Sequence, residues 1–199
     1  MKLEEYRTVF AAGSLILMLV AAAPTVSLFV AFPEGSERFS ELWLLGPNHM
    51  AEDYPFNLRA NETYSVFVGV GNHLGGSSYY LVYVKFRNQT EPLPNATVSE
   101  PSPLSPLYEF RFFVDDGDTW EEPLTFSVLE ASRDYDFMFV DRLSVNDVVF
   151  PVNASARWDS ENDGFYFQLF FELWLYNVTS QSFGFHDRYV GIWLNVTGS

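Results

Sequence analysis

The chain has 199 residues, of which 48% are hydrophobic and 18% aromatic, and it carries a formal net charge of −15 at pH 7. Such an acidic surface repels nucleic acid and anionic lipid headgroups, which argues against a function in binding either of them. The chain contains no cysteine, and this excludes disulfide bonds and thiol chemistry.

The first predicted element is a segment without Asp, Glu, Lys or Arg at residues 8–33. As an α-helix rising about 1.5 Å per residue, it is long enough to cross a hydrocarbon core of about 30 Å. Two basic residues, Lys2 and Arg7, precede it. By the positive-inside rule, residues 1–7 are predicted to be cytoplasmic and residues 34–199 extracellular, in a single-pass protein of the cell membrane.

A cleaved signal peptide is the alternative, because three alanines at 21–23 resemble a cleavage site. Two features favour a retained helix. The apolar run is longer than the usual hydrophobic region of a signal peptide, which is about 7–15 residues. In addition, Pro24 would be the first residue of the cleaved product.

The remainder of the chain predicts strands, because apolar and polar residues alternate with period two between Gly- and Pro-rich turns. In the run at 78–88, alternate residues from Tyr80 to Phe86 share one face, while Lys85 and Arg87 lie on the other. We therefore expect an all-β, Ig-like antiparallel sandwich of seven to nine strands. The predicted strands are residues 38–46, 62–71, 78–88, 107–114, 124–129, 135–140, 164–176 and 188–196.

Six of the 11 asparagines begin an N-x-[ST] triplet, which is more than chance predicts. Asn and Thr also favour turns and strand ends, which explains clustering better than it explains the excess. We predict N-linked glycans on an extracellular surface. The acceptor candidates are Asn61, Asn88, Asn95, Asn153, Asn177 and Asn195.

Candidate catalytic and metal-binding residues are few. His49, His73 and His186 are isolated and lack metal-ligand spacing. A Ca²⁺ site at the acidic turn 115–118 is less expected than a solvated turn. The run that begins at Asp159 resembles half of an EF-hand loop, but its twelfth position lacks the required Glu. We expect no catalytic residues, no cofactor and no metal.

The tryptophans are the remaining conspicuous residues. Exposed Trp and Tyr side chains can stack on sugar rings, whereas in a chain this rich in aromatic residues core packing is the expected role. The four in question are Trp120, Trp158, Trp174 and Trp193.

Several separate segments make the chain resemble the archaeal DUF1616 family. These are FSELWLLGPN at 39–48, AEDYPFNL at 51–58, YSVFVGVGNH at 64–73, WEEP at 120–123, FELWLY at 171–176 and RYVGIWLN at 188–195. Residues 130–163 fit the family pattern poorly and are interpreted as an insertion. Members often carry several membrane helices before this domain, whereas this chain has one predicted helix. The resemblance implies an archaeal source and a membrane-tethered Ig-like domain, and it implies no mechanism.

Three functional hypotheses follow. The leading one is a noncatalytic extracellular accessory or scaffold subunit of a membrane or envelope complex, such as glycosylation or export machinery. It would contact other membrane or envelope proteins, and the bilayer through residues 8–33. The second is a structural cell-surface or filament subunit that assembles through strand pairing. The third is a carbohydrate-binding or hydrolytic ectodomain.

Overall fold

The computed structural model describes residues 6–7, 10–18 and 38–197. The chain divides into two units, Met1–Arg38 and Phe39–Ser199. In the first unit, residues 6, 7 and 10–18 are helical. Ser14 Oγ donates a hydrogen bond to the Phe10 carbonyl oxygen at 2.8 Å, within this helix.

No helix among residues 6–7, 10–18 and 38–197 has both the length and the apolar content to cross a bilayer. Most of the anchor predicted at residues 8–33, namely 8–9 and 19–33, lies outside the described residues. Within the described part, the large apolar side chains are exposed on consecutive positions, Leu15, Ile16, Leu17 and Met18.

The second unit is an all-β sandwich of two five-stranded sheets, which confirms the prediction of an all-β sandwich. Its described residues form ten strands rather than the seven to nine expected. They are β1 (Phe39–Leu45), β2 (Asn57–Arg59), β3 (Tyr64–His73), β4 (Ser78–Asn88), β5 (Tyr108–Val114), β6 (Thr119–Asp134), β7 (Phe137–Val145), β8 (Val148–Arg157), β9 (Tyr166–Asn177) and β10 (Ser182–Thr197).

The first sheet has the order β1-β3-β6-β7-β8 and the second has the order β2-β10-β9-β4-β5. All neighbouring strands are antiparallel except β2, which pairs in parallel with the end of β10. The expectation of a purely antiparallel sandwich is therefore wrong at this edge. The three-residue strand β2 follows a loop and joins the edge of the sheet, so no short hairpin imposes antiparallel pairing there.

The segment interpreted as an insertion, residues 130–163, contains the end of β6, all of β7 and all of β8. Because it pairs along β6 and contributes buried Met138, Val140, Leu143 and Val145, it is part of the first sheet and of the core. Strand β8 was not predicted from the sequence, since Pro151 and a run of small residues interrupt its alternation.

The core lies between the two sheets, and the predicted alternation of β4 is confirmed. Tyr80, Val82 and Val84 are fully buried in it. Burying a side chain of this size stabilises the fold by about 1.5–3 kcal/mol. The opposite face of β4 is also largely covered, because Lys85 and Arg87 are buried as well.

Candidate functional site

A buried ion pair lies on the outer face of the second sheet. Lys85 Nζ of β4 is 2.9 Å from Glu172 Oε2 of β9, and both side chains are less than 5% exposed. Ser102 completes the pair, since its amide donates to Glu172 Oε1 at 2.8 Å and its carbonyl accepts from Lys85 Nζ at 2.7 Å. The pair therefore holds the loop between β4 and β5 across the sheet, and it is shielded from any substrate.

A partly exposed group of aromatic side chains lies on the same outer face, at the far end of β9. It consists of Tyr79, Phe113, Tyr176 and Phe183, which we call the aromatic platform. Register places Tyr79 beside Phe113 and Tyr176 beside Phe183, and the rings of the first pair stack at 4.3 Å. Tyr79 and Phe183 contact each other at 5.0 Å and so join the two pairs.

One ring of this platform is open to solvent, since Phe113 is 72% exposed. The guanidinium of Arg111 lies 5.4 Å from the centroid of Phe183, at cation–π distance. The platform thus combines aromatic area with an arginine, which is the composition enriched at protein–protein interfaces.

A concave site lies at the opposite end of β9. Phe56, Gln89, Asn162, Tyr166 and Trp193 line a cavity of about 350 Å³, which we call the aromatic–amide cavity. Phe56 lies in the loop before β2, and Trp193 lies in β10. A second cavity of about 510 Å³ is also lined by Phe56 and Trp193.

Hydrogen bonds organise the amides of the aromatic–amide cavity. Asp159 Oδ2 accepts from Gln89 Nε2 at 3.1 Å and from Asn162 Nδ2 at 2.8 Å. Asp159 has a pKa below its usual range, chiefly because of the hydrogen bond from Asn162. The hydroxyl of Tyr166 donates to the Asn162 carbonyl at 2.5 Å and holds the turn against β9.

Arg87 supports the tryptophan of this cavity. Its guanidinium carbon lies 5.3 Å from the ring centroid of Trp193, and its Nε donates to Gln168 Oε1 at 2.9 Å. Burial lowers the pKa of Arg87, since desolvation disfavours its charged form. The tryptophan ring is thus held from below while remaining 40% exposed.

Ser40 and His186 are close enough for a nucleophile and its base, with Oγ and Nε2 3.0 Å apart. Ser40 is only 1% exposed, however, and its Oγ also lies 2.7 Å from the hydroxyl of Tyr80. Burial lowers the pKa of His186, and the charge of Arg188 lowers it further. The serine hydroxyl thus belongs to a largely buried polar network with Tyr80 and His186.

The other two histidines pair with carboxylates at the surface. His49 Nδ1 is 2.8 Å from Glu121 Oε1, and His73 Nε2 is 3.7 Å from Glu41 Oε2. Within residues 6–7, 10–18 and 38–197, no group of three or more His, Asp or Glu side chains is arranged to hold a metal ion.

The two acidic turns use their carboxylates internally. Asp115 accepts a hydrogen bond from Ser77 Oγ, and Asp116 Oδ1 accepts from the Gly75 amide at 2.7 Å. Asp159 Oδ1 likewise accepts from the amide of Glu161 at 2.9 Å. These contacts hold the two turns in their folded conformations.

Three of the four conspicuous tryptophans pack against other groups. Trp120 stacks on Phe112 at 3.6 Å, and Trp158 meets Phe165 edge-on at 4.9 Å. Trp174 donates from Nε1 to the buried Glu172 at 3.2 Å. Only the fourth, Trp193, lines the aromatic–amide cavity.

The six sequons differ in their surroundings. Four of the asparagines are exposed: Asn61, Asn95, Asn153 and Asn177. Asn88 is half-buried, and its Nδ2 donates to the Ser155 carbonyl at 3.0 Å. Asn195 is buried, and its Nδ2 donates to Asn57 Oδ1 at 2.9 Å while its Oδ1 accepts from the Phe165 amide.

Sequence reasoning missed the buried ion pair and most of the cavity. A signal for the pair was present, since Lys85 and Glu172 are opposite charges within strongly apolar strands. Buried charges of this kind are nearly always paired. The cavity has no comparable signal, because its residues come from separate loops and strands and have no characteristic spacing.

The fold and these surfaces define a β-sandwich domain that carries an aromatic platform at one end of β9 and aromatic-lined cavities at the other end. The chain belongs to the family described as a domain of unknown function (DUF1616), whose model matches residues 33–140. Four of the six segments that carried the resemblance, those between residues 39 and 123, lie inside this match. The segments at 171–176 and 188–195 lie outside it.

No curated protein matches the chain. Among solved structures, it is similar to a chain in the complex of zinc 2-glycoprotein and prolactin inducible protein from human seminal plasma, at 10% identity and a TM-score of 0.38. That similarity covers 83% of this chain and 100% of the other. A β-glucosidase from Listeria innocua matches at 12% identity and a TM-score of 0.35, over 82% of this chain and 16% of the enzyme.

Proposed function

We propose that the protein is a noncatalytic, membrane-anchored extracellular accessory or scaffold subunit of a membrane or envelope complex, in an archaeal cell. Residues 8–33 form its anchor, residues 1–7 lie in the cytoplasm, and residues 34–199 form an Ig-like domain outside. The domain docks onto another protein of that complex through the aromatic platform. The observation that carries this proposal is the exposure of Phe113 within a stacked aromatic group.

The apolar composition of the N-terminal helix supports the anchor. The side chains of Phe10 and of residues 15–18 are all more than half exposed. Four consecutive helical positions point in four directions about 100° apart, so the apolar surface surrounds the helix. A helix that is apolar on every side is buried in protein or in lipid. Lys2 and Arg7 at its start favour a cytoplasmic N-terminus.

The chemistry of the aromatic platform supports docking to protein. Interface hot spots are enriched in Tyr, Trp and Arg, and a few well-packed residues carry most of the binding energy. Tyr79 is stacked on Phe113 and held by Phe183, so these rings lose little conformational freedom on binding. Phe113, Arg111 and their neighbours therefore form a surface that is ready for a partner.

The test compares two surface substitutions in the full-length protein, expressed in its native cells and extracted in mild detergent. Phe113→Asp places a charge in the platform and should reduce co-purification of the partner at least about tenfold, since hot-spot losses exceed 1.4 kcal/mol. Tyr135→Asn is the matched control, because Tyr135 is 89% exposed in the β6–β7 turn, where its positive φ suits asparagine. A photo-crosslinker at position 113 identifies the protein that touches the platform.

Three results are informative. Crosslinking to a different membrane or envelope protein supports the accessory role if co-purification of that protein is lost with Phe113→Asp and kept with Tyr135→Asn. Crosslinking to a second copy of the chain supports the structural-subunit alternative instead. A protein that runs as a lone monomer and gives no crosslink at position 113 would remove the basis of the docking proposal.

A further inference from the structure

We propose that the aromatic–amide cavity is a binding site for a neutral sugar ring, presented as part of an oligosaccharide. The cavity lies at the opposite end of β9 from the aromatic platform, and its lining shares no residue with it. The inference therefore goes beyond the docking function and does not depend on it.

The aromatic rings provide the first part of the argument. Phe56 is 45% exposed and Trp193 is 40% exposed, although each lies at the wall of a concave site. A sugar ring carries C–H groups on one face, and these pack on the negative face of an aromatic ring. Since Phe56 and Trp193 also line the adjoining cavity of about 510 Å³, the two rings can accommodate more than one sugar unit.

The amides provide the second part. A carboxylate can only accept hydrogen bonds, so Asp159 requires the NH₂ groups of Gln89 and Asn162 to face it. Their carbonyl oxygens, Gln89 Oε1 and Asn162 Oδ1, have no protein donor among the described residues. Each amide thus offers an acceptor oxygen and a second N–H donor beside the bond to Asp159. Sugar hydroxyl groups both donate and accept, so they match such a pair of amides.

The charges around the cavity favour a neutral ligand. Asp159 stays ionised at neutral pH and repels anions from the two amides that it holds. A cationic ligand that stacks on the ring of Trp193 would meet the charge of Arg87, which lies 5.3 Å from the centroid of that ring. A second positive charge nearby is disfavoured by repulsion. Neutral hydroxylated compounds meet neither obstacle.

The cavity is also built before any ligand arrives. The turn is closed by a bridge between Asp159 and Gly164, and the hydroxyl of Tyr166 holds the Asn162 carbonyl. A site whose groups are already immobilised loses less entropy on binding. Concave sites with aromatic walls and a few fixed polar groups are the usual form of ligand pockets.

The experiment uses the full-length chain in detergent, produced without glycosylation so that no glycan of its own can occupy the cavity. The probes are neutral oligosaccharides of glucose, mannose, galactose and N-acetylglucosamine. Their binding is measured by saturation-transfer NMR and by tryptophan fluorescence. Choline chloride and a sulfated oligosaccharide serve as cationic and anionic comparisons. A glycosylated preparation, tested in parallel, shows whether the protein's own glycans compete for the site.

At least one neutral oligosaccharide should bind saturably. Trp193→Ala should weaken its binding at least about tenfold, and Trp193→Phe should weaken it less because a ring remains. Gln89→Ala removes one acceptor from an exposed position and should weaken binding about threefold to tenfold. Phe113→Ala, in the aromatic platform, should leave binding unchanged. Because Gln89 is exposed, its variant keeps the test valid even if Trp193→Ala fails to fold.

Three results would overturn the inference. One is that no neutral oligosaccharide binds at concentrations up to about 10 mM. Another is that folded Trp193→Ala and Gln89→Ala bind as tightly as the parent chain. The third is that choline or the sulfated oligosaccharide binds more tightly than every neutral probe.

Discussion

Substituting Lys85 tests how the loop between β4 and β5 is held on the second sheet. In Lys85→Met, the methionine fills most of the lysine volume, but Glu172 is left as a fully buried carboxylate without its cation. It retains hydrogen bonds from the Ser102 amide and from Trp174 Nε1. Removing one partner of a buried ion pair costs about 3–5 kcal/mol. For a domain of this size, this corresponds to a melting temperature lower by about 6–20 °C.

A double-mutant cycle separates the ion pair from simple packing. Glu172→Gln alone leaves Lys85 buried and charged, with the Ser102 carbonyl as its acceptor. The double variant Lys85→Met/Glu172→Gln carries neither charge, while the glutamine oxygen still accepts from Ser102. We expect each single variant to be less stable than the double variant, with a coupling free energy of about 2–4 kcal/mol.

The assay is urea unfolding at pH 7, followed by tryptophan fluorescence, with limited proteolysis to detect release of the loop. Arg142→Met is the matched control, because Arg142 and Glu130 form an exposed pair between β6 and β7. This control should show almost no change, since solvent screens an exposed pair. Additive single effects, or a loss below about 1 kcal/mol for Lys85→Met, would show that the pair does not hold the loop.

Two further predictions follow. Burial lowers the pKa of His186 in the folded protein, so this side chain binds a proton more readily in the unfolded chain. The contribution of His186 to stability is therefore complete above pH 6.5, and it declines as the pH falls below that value. Urea unfolding between pH 5.5 and 7.5 should therefore show a smaller pH dependence in His186→Gln, and an unchanged slope would contradict this. Among the sequons, glycans should occur on Asn61, Asn95, Asn153 and Asn177 and be absent from Asn195, whose amide is bonded inside the fold. Site-resolved mass spectrometry of native material checks this, and bare asparagine at all four exposed sites would argue against both the glycans and the extracellular orientation.

Local alternation in the sequence determined the strands and the direction of their side chains. Period two alone places Tyr80, Val82 and Val84 on one face of the strand, and all three are fully buried. This succeeds because successive side chains of a strand point to opposite faces whatever the strand pairs with. Where alternation is broken, as by Pro151 in β8, the same reasoning missed the strand.

Tertiary structure decided everything that depends on partners distant in the chain. Alternation alone predicts that the outer face of β4 is exposed to solvent. In the structure, the loop that carries Ser102 covers this face, and Lys85 and Glu172 form a buried pair beneath it. The cavity likewise joins Phe56 to Trp193 through β10 and the loop before β2. Strand order, loop docking and pocket walls are set by long-range packing, and the residues that meet there carry no local pattern. The sequence by itself therefore determined the class of fold, while the assembled sheets determined its surfaces.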